Sequence, residues 1–179
     1  DEVDYRNDVQ QNGILGVTVN LTTGTATDGF GSTDTLNSIE RVRGTRFVDN
    51  LTGSAGSDRL GGEGGNDILN GMGGDDDLRP GGGSNTVDGG TGFDRLVYLY
   101  EGWTVGVTVT MSGLNAGTVL NGAGGTDTFT NMEGFVGTDK NDTFNGSANV
   151  EEWVAGRGND VIISGSTTAT ILTRLHTTS

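Results

Sequence analysis

Apolar residues in this chain recur neither at helical spacing nor in long runs. Between residues 44 and 97 one returns every nine: Leu51, Leu60, Leu69, Leu78, Val87 and Leu96. Two places before each stands Asp49, Asp58, Asp67, Asp76, Asn85 or Asp94. The first four places of each nine are mostly Gly, as in GEGGNDILN (62–70) and GMGGDDDLR (71–79). A second block, 137–163, keeps the period with Asp142, Glu151 and Asp160 at place six and Phe144, Trp153 and Ile162 at place eight. Matching nines precede the blocks at 35–43 and 128–136, with Glu40 and Glu133 at place six. Further upstream, GVTVNLT (16–22) answers GVTVTMS (106–112). The chain is a tandem duplication: a lead-in, then nonapeptides, twice.

This period excludes helix. Gly costs about 1 kcal/mol per site in a helix, and the apolar spacing is wrong for one. Gly suits tight turns, and the last three places suit a very short strand with one inward side chain. Each nine is therefore a turn plus a strand, and two nines make one coil of a two-sheet parallel roll. The fold class is all-β, with the two blocks stacked into one elongated rod. Val17, Val19 and Leu21, like Val105, Val107, Val109 and Met111, alternate with polar residues and predict longer strands continuing the stack. The predicted units are 1–97 (lead-in and first block), 98–163 (lead-in and second block) and a tail, 164–179.

Composition narrows the function. Gly is 34 of 179 residues and Pro 1, so the chain is Gly-rich without being collagen-like. The net charge of −14 argues against nucleic acid and anionic lipid as partners. With no Cys there is no disulfide or thiolate metal site. No apolar run approaches the roughly 18 residues of a membrane helix, so membrane insertion is not expected. The start, Asp1-Glu2-Val3-Asp4, is no signal peptide, which suggests a fragment or an export route without an N-terminal signal. No HExxH or G-x-S-x-G motif is present, and the sole His176 lies in the tail, so the chain is expected to be no enzyme.

Stacking places every second nine on one side. Asp49, Asp67 and Asn85 then form one column and Asp58, Asp76 and Asp94 another. At one strand spacing, like charges repel by about 1 kcal/mol per pair even in water. A thin core cannot carry many such terms, so the columns call for a hard, oxygen-loving cation. Ca²⁺ takes 6–8 oxygens from carboxylates and carbonyls, whereas Mg²⁺ demands a strict octahedron and Zn²⁺ wants Cys or His. Asp76 is the in-register member of Asp75-Asp76-Asp77, and its neighbours are expected in solvent.

These repeats resemble the RTX family of haemolysin-type calcium-binding nonapeptides. The resemblance implies a right-handed parallel β-roll or β-solenoid with Ca²⁺ bound between same-side turns. One turn would offer the carbonyls of places two and four plus its Asp; the turn 18 residues on would offer those of places one and three plus its own Asp. Carried over, one site uses Thr45, Phe47, Asp49, Gly62, Gly64 and Asp67. A second uses Ser54, Gly56, Asp58, Gly71, Gly73 and Asp76. A third uses Met72, Gly74, Asp76, Gly89, Thr91 and Asp94. A fourth, in the second block, uses Thr138, Lys140, Asp142, Ala155, Arg157 and Asp160. Asn85 for Asp and Pro80 for Gly break the pattern and put the pairing of Asp67 with Asn85 in doubt. Glu151 is expected to terminate a column, and Glu40 with Asp58 makes an incomplete site.

The expected function is a non-catalytic, calcium-binding RTX module of a larger protein. It would be bacterial, secreted by a type I route, and folded by Ca²⁺ outside the cell. The alternative is a carbohydrate-binding or adhesin segment, with a polysaccharide or cell-surface component as partner. For Trp103 and Trp153, core packing is favoured over sugar stacking. For Arg41, Arg43 and Arg46, pairing with nearby acids is favoured over gripping an acidic polymer.

Overall fold

The computed structural model describes residues 1–8, 13–99, 102–147, 152–163, 165 and 170–172. It is an all-β parallel roll of very short strands. One sheet runs β1 (Glu2–Asp4), β5 (Arg41–Arg43), β7 (Arg59–Gly61), β9 (Asp77–Arg79), β11 (Arg95–Val97), β15 (Gly134–Val136), β17 (Glu152–Val154) and β19 (Thr170–Leu172), parallel throughout. The facing sheet begins at β18 (Val161–Ile163), β16 (Thr143–Asn145), β12 (Thr108–Gly113), β13 (Ala116–Leu120) and β14 (Thr126–Thr130). It continues through β10 (Thr86–Asp88), β8 (Ile68–Asn70), β6 (Asn50–Thr52), β2 (Thr18–Asn20), β3 (Thr25–Thr27) and β4 (Thr33–Thr35).

The nonapeptide register is the one the period demands. Asn50, Leu51 and Thr52 align with Ile68, Leu69 and Asn70, which align in turn with Thr86, Val87 and Asp88. Each step is 18 residues, one coil. With three-residue strands only place eight can point inward. Leu51, Leu60, Leu69, Leu78, Val87 and Leu96 are accordingly at most 1% exposed. Each fully buried aliphatic contributes roughly 1.5–3 kcal/mol, so the core is a single file of such terms. Phe144 and Trp153 continue the file in the second block, and Ile162 packs against it half-buried.

The lead-ins add to the expectation of longer strands continuing the stack. Both β2 and β12 do continue the stack, pairing in parallel with β6 and β16. Each then folds back: β2-β3-β4 and β12-β13-β14 are antiparallel meanders. The reversals occur where the chain takes left-handed backbone, at Gly24 (φ 66°) in the first lead-in and Asn115 (φ 51°) in the second. The second meander sits between β10 and β16, so this sheet gains two strands that the other lacks. Aromatic side chains fill the interior there: Phe135 stacks on Trp153 at 4.8 Å and meets Phe129 edge-on at 5.1 Å. Trp153 is thus core, and Trp103 lies half-buried against Tyr98. Asp77 pairs with Arg59, and Asp75 accepts from the Phe93 amide. Arg43 pairs with Glu2 and Glu63, while Arg46 lies over the Phe47 ring.

Candidate metal centre

Place-six carboxylates line the turns as hydrogen-bonded ladders. The Asp49 amide donates to Asp67 Oδ1 (2.9 Å), and the Asp67 amide to Asn85 Oδ1 (2.8 Å). In the second ladder the Asp58 amide donates to Asp76 Oδ1 (2.8 Å) and the Asp76 amide to Asp94 Oδ1 (2.9 Å). In the second block the Asp142 amide donates to Asp160 Oδ1 (2.9 Å). One carboxylate oxygen is therefore spent on the coil before it.

The fate of the other oxygen depends on place two of the same nine. In the turns with Thr45 and Thr138 the carboxylate is closed off. Asp49 Oδ2 accepts the Thr45 amide, and its Oδ1 accepts the Thr45 hydroxyl and the Val17 amide. Asp142 repeats this with Thr138 and Val107. Ser54 likewise donates its amide to Asp58 Oδ2. Where Glu63 (φ 67°), Met72 (φ 74°) or Gly90 (φ 97°) holds place two, left-handed backbone goes with loss of that bond. Asp67, Asp76 and Asp94 are each at most 1% exposed, and their Oδ2 atoms are buried with no hydrogen-bond partner. Asp58 Oδ1 is a fourth such atom.

Those orphaned oxygens face other oxygens. Asp67 Oδ2 and the Pro80 carbonyl lie 2.4 and 2.6 Å from the point where Gly62 would carry a Cβ. For Asp76 Oδ2 and the Gly89 carbonyl around Gly71 the distances are 2.3 and 2.4 Å. Asp94 Oδ2 and the Asn131 carbonyl sit likewise around Gly89, at 2.7 and 2.0 Å. A side chain at these glycines would fill the space. Two acceptors converge there with no donor between them, and a buried unpaired carboxylate oxygen is costly. Burial, with Asp49 and Asp127 nearby, pushes Asp67 up to about 8. Burial also pushes Asp76 up to about 7 and Asp94 up to about 6. Asp49, Asp127, Asp142 and Asp160 are raised by burial too.

The turns paired from sequence do stand against each other. The Thr45, Ser54 and Met72 carbonyls accept the amides of Gly64, Gly73 and Thr91 (3.1–3.2 Å), each keeping a second lone pair. The Phe47, Gly56, Gly74 and Lys140 carbonyls lie 1.9–2.8 Å from the absent Cβ of a glycine one coil on. Only glycine permits that approach. Among the described residues no three Asp, Glu, His or Cys side chains cluster as a metal site. A centre here would instead pair one or two carboxylates with backbone carbonyls, an all-oxygen donor set of the kind Ca²⁺ takes.

A family model supports this reading of the turns: the RTX calcium-binding nonapeptide repeat (4 copies) matches residues 43–78 and 79–97. This stretch is an RTX repeat block. RTX repeats bind Ca²⁺, are typical of bacterial secreted proteins, and are typically non-catalytic binding modules. No curated protein matches the chain.

Sequence reasoning did not anticipate how the RTX columns end. The first ends on Asp127, whose Oδ1 accepts the Asn85 amide (2.9 Å) and side-chain Nδ2 (2.8 Å), while Tyr98 donates to Oδ2 (2.8 Å). Asn85 is therefore the donor that a second buried carboxylate requires. The second column ends on Glu133, which accepts the Asp94 amide and the Asn115 side chain. The available signal was spacing: Tyr5 and Asp34 are separated by 29 residues, as are Tyr98 and Asp127, and both pairs are hydrogen-bonded. Glu151 lies outside the described residues.

Proposed function

We propose that this chain is a non-catalytic, calcium-binding RTX β-roll module of a larger secreted protein, folded and stabilised by Ca²⁺ outside the cell. The buried, unpartnered Oδ2 atoms of Asp67, Asp76 and Asp94 carry this reading. Asp67 Oδ2, with the Pro80 carbonyl of the coil that follows, would hold one ion; Thr45, Phe47, Asp49, Gly62 and Gly64 line the gap to the coil before, where Asp49 is already closed by its own turn. Asp76 would serve with Ser54, Gly56, Asp58, Gly71 and Gly73. Asp94 would serve with Met72, Gly74, Asp76, Gly89 and Thr91. Asp142 and Asp160 remain a candidate pair in the second block. The ion supplies the positive charge that the columns lack.

Binding would then be coupled to folding. Each occupied site adds about 2.7 kcal/mol at a hundredfold excess of ion over Kd. Extracellular calcium modules have Kd near roughly 10⁻⁴–10⁻³ M, so such a chain stays open in a calcium-poor cytosol and closes outside. We assign 1–97 and 98–163 as two stacked repeats of this device, followed by the tail 164–179. Far-UV circular dichroism tests the reading. A β signal absent in EDTA at neutral pH and gained in millimolar Ca²⁺ is expected; equal signals in both would overturn it.

A basic groove favours the second reading, a carbohydrate-binding or adhesin segment. A cavity of about 310 Å³ on the outer face of the β1 sheet is lined by Arg6, Arg41, Arg43, Arg59 and Arg79, with Glu2 and Glu63. Retention of a uronate polymer that is lost on Arg41→Ala would support it, and no retention would remove it.

A further inference from the structure

The two halves of the molecule present the same face at the start of each lead-in, but among the described residues only one of these faces is covered. Inside the roll, β14 carries β10 on its outer edge, with Thr86, Val87 and Asp88 opposite Thr128, Phe129 and Thr130. In the other sheet β11 carries β9. A shift of 93 residues maps β11 onto β1 and Asp94 onto Asp1. It also maps Tyr98 onto Tyr5, Asp127 onto Asp34 and Glu133 onto Glu40.

Contacts follow the mapping. Tyr98 donates to Asp127 as Tyr5 donates to Asp34. The Asp94 amide donates to Glu133 as the Asp1 amine donates to Glu40. Yet among the described residues β1 and β4 are the edge strands of their sheets. Phe30 at this end is 49% exposed, whereas its counterpart Ala123 packs beside Gly82 of the preceding coil.

We propose that the face formed by β1, β4, Tyr5 and Asp34 is a docking surface for one more RTX coil, laid in parallel on both edges and carrying Asn at its sixth place. The internal junction specifies the occupant. Asp127 takes the amide and side chain of Asn85, and the Thr128 amide returns a bond to the Asn85 carbonyl (2.9 Å). Asp34 and Thr35 offer the same acceptor and donor. A coil with Asp at place six would set two carboxylates against each other, as Asn85→Asp would do at Asp127. The fit is not identical in the flanking turn. Asn121 donates to the Gly83 carbonyl (2.7 Å), and Asp28, in its place, has no donor to give. Asp28→Asn should therefore tighten docking.

The proposal rests on the RTX reading of the coils, and its test separates the two. Residues 71–93 are grafted ahead of Asp1, which restores the register GGTGF followed by Asp1 at place six. Hydrogen exchange is then measured in millimolar Ca²⁺ on the full chain with and without the graft. At least roughly tenfold slower exchange at the amides of β1 and of Thr35 is expected. That protection should be lost when the grafted Asn becomes Asp and restored in the Asn graft. It should increase further with Asp28→Asn. Grafted residues that are clipped by protease as a free tail, with β1 and Thr35 still fast while β6 to β11 are slow, would overturn the docking proposal alone. Fast exchange in every strand despite Ca²⁺ would overturn the RTX reading and the docking with it. Concentration-dependent dimerisation through this face, without protection by the graft, would show a second copy to be the occupant and overturn the coil.

Discussion

Asp49 and Asp67 sit one coil apart in the same column, yet their carboxylates have opposite fates. Asp49 is satisfied by Thr45 and Val17; Asp67 keeps a buried oxygen without a partner beside a carbonyl. One residue, at place two of the turn, goes with the difference. Thr or Ser donates back to the carboxylate, while Glu63, Met72 and Gly90 take left-handed backbone and do not. The closing residues Thr45 and Thr138 stand at the first turn of their blocks, Ser54 closes only one oxygen of Asp58, and in the first block open turns follow. The Asp49 column thus begins with a carboxylate that its own turn satisfies and continues with one that needs an ion, whereas the Asp58 column begins half closed.

The largest expected effect acts on all three open carboxylates at once. Their values in the fold lie above the ordinary 3.8 because burial disfavours the charge. Their contribution without metal is therefore full below about pH 4 and is lost as pH rises through about 6 to 8. In EDTA the thermal midpoint should fall across that window, and the gap between calcium and EDTA samples should widen. A midpoint in EDTA that climbs from pH 4 to 8 would remove the distinction between closed and open turns.

Next in size is Asp76→Asn. It keeps an acceptor for the Asp58 amide and removes the charge. We expect loss of one calcium equivalent by isothermal titration and of about 2.7 kcal/mol of calcium-linked stability at a hundredfold excess of ion. The same change at Asp49 should leave the stoichiometry intact. Equal loss of calcium from both variants would merge the two classes.

Asn85→Asp then tests the junction. It replaces a side chain donating to buried Asp127 with a like charge, which should cost about 1–3 kcal/mol in urea unfolding. A gain of stability in calcium would mean that an ion can bridge the pair. The smallest effect is expected at a closed turn. Thr138→Ala removes a hydroxyl that bonds Asp142 Oδ1 and the Lys140 amide, and should cost about 1 kcal/mol in urea unfolding in calcium with no change in the calcium concentration needed for folding.

Much of this was legible because the period is short and strict. Leu51 to Leu96 announced their inward places, and their neighbours at place six announced the columns. The antiparallel returns β3 and β13 were not legible. Both lie in the Thr- and Gly-rich stretch that follows each lead-in, and nothing in a strand's own pattern says in which direction it pairs. Asn85 looked like a defect in a metal repeat, because its partner Asp127 lies 42 residues away. The distinction between Thr45 and Met72 at place two was equally hidden, since it rests on the sign of φ rather than on polarity.

Long-wavelength anomalous diffraction from crystals grown in millimolar calcium tests the division of turns most directly. Calcium peaks are expected against the Oδ2 atoms of Asp67, Asp76 and Asp94, with none held by Asp49 alone. Peaks confined to the Thr45 and Thr138 turns, or no calcium at the three open carboxylates, would contradict it.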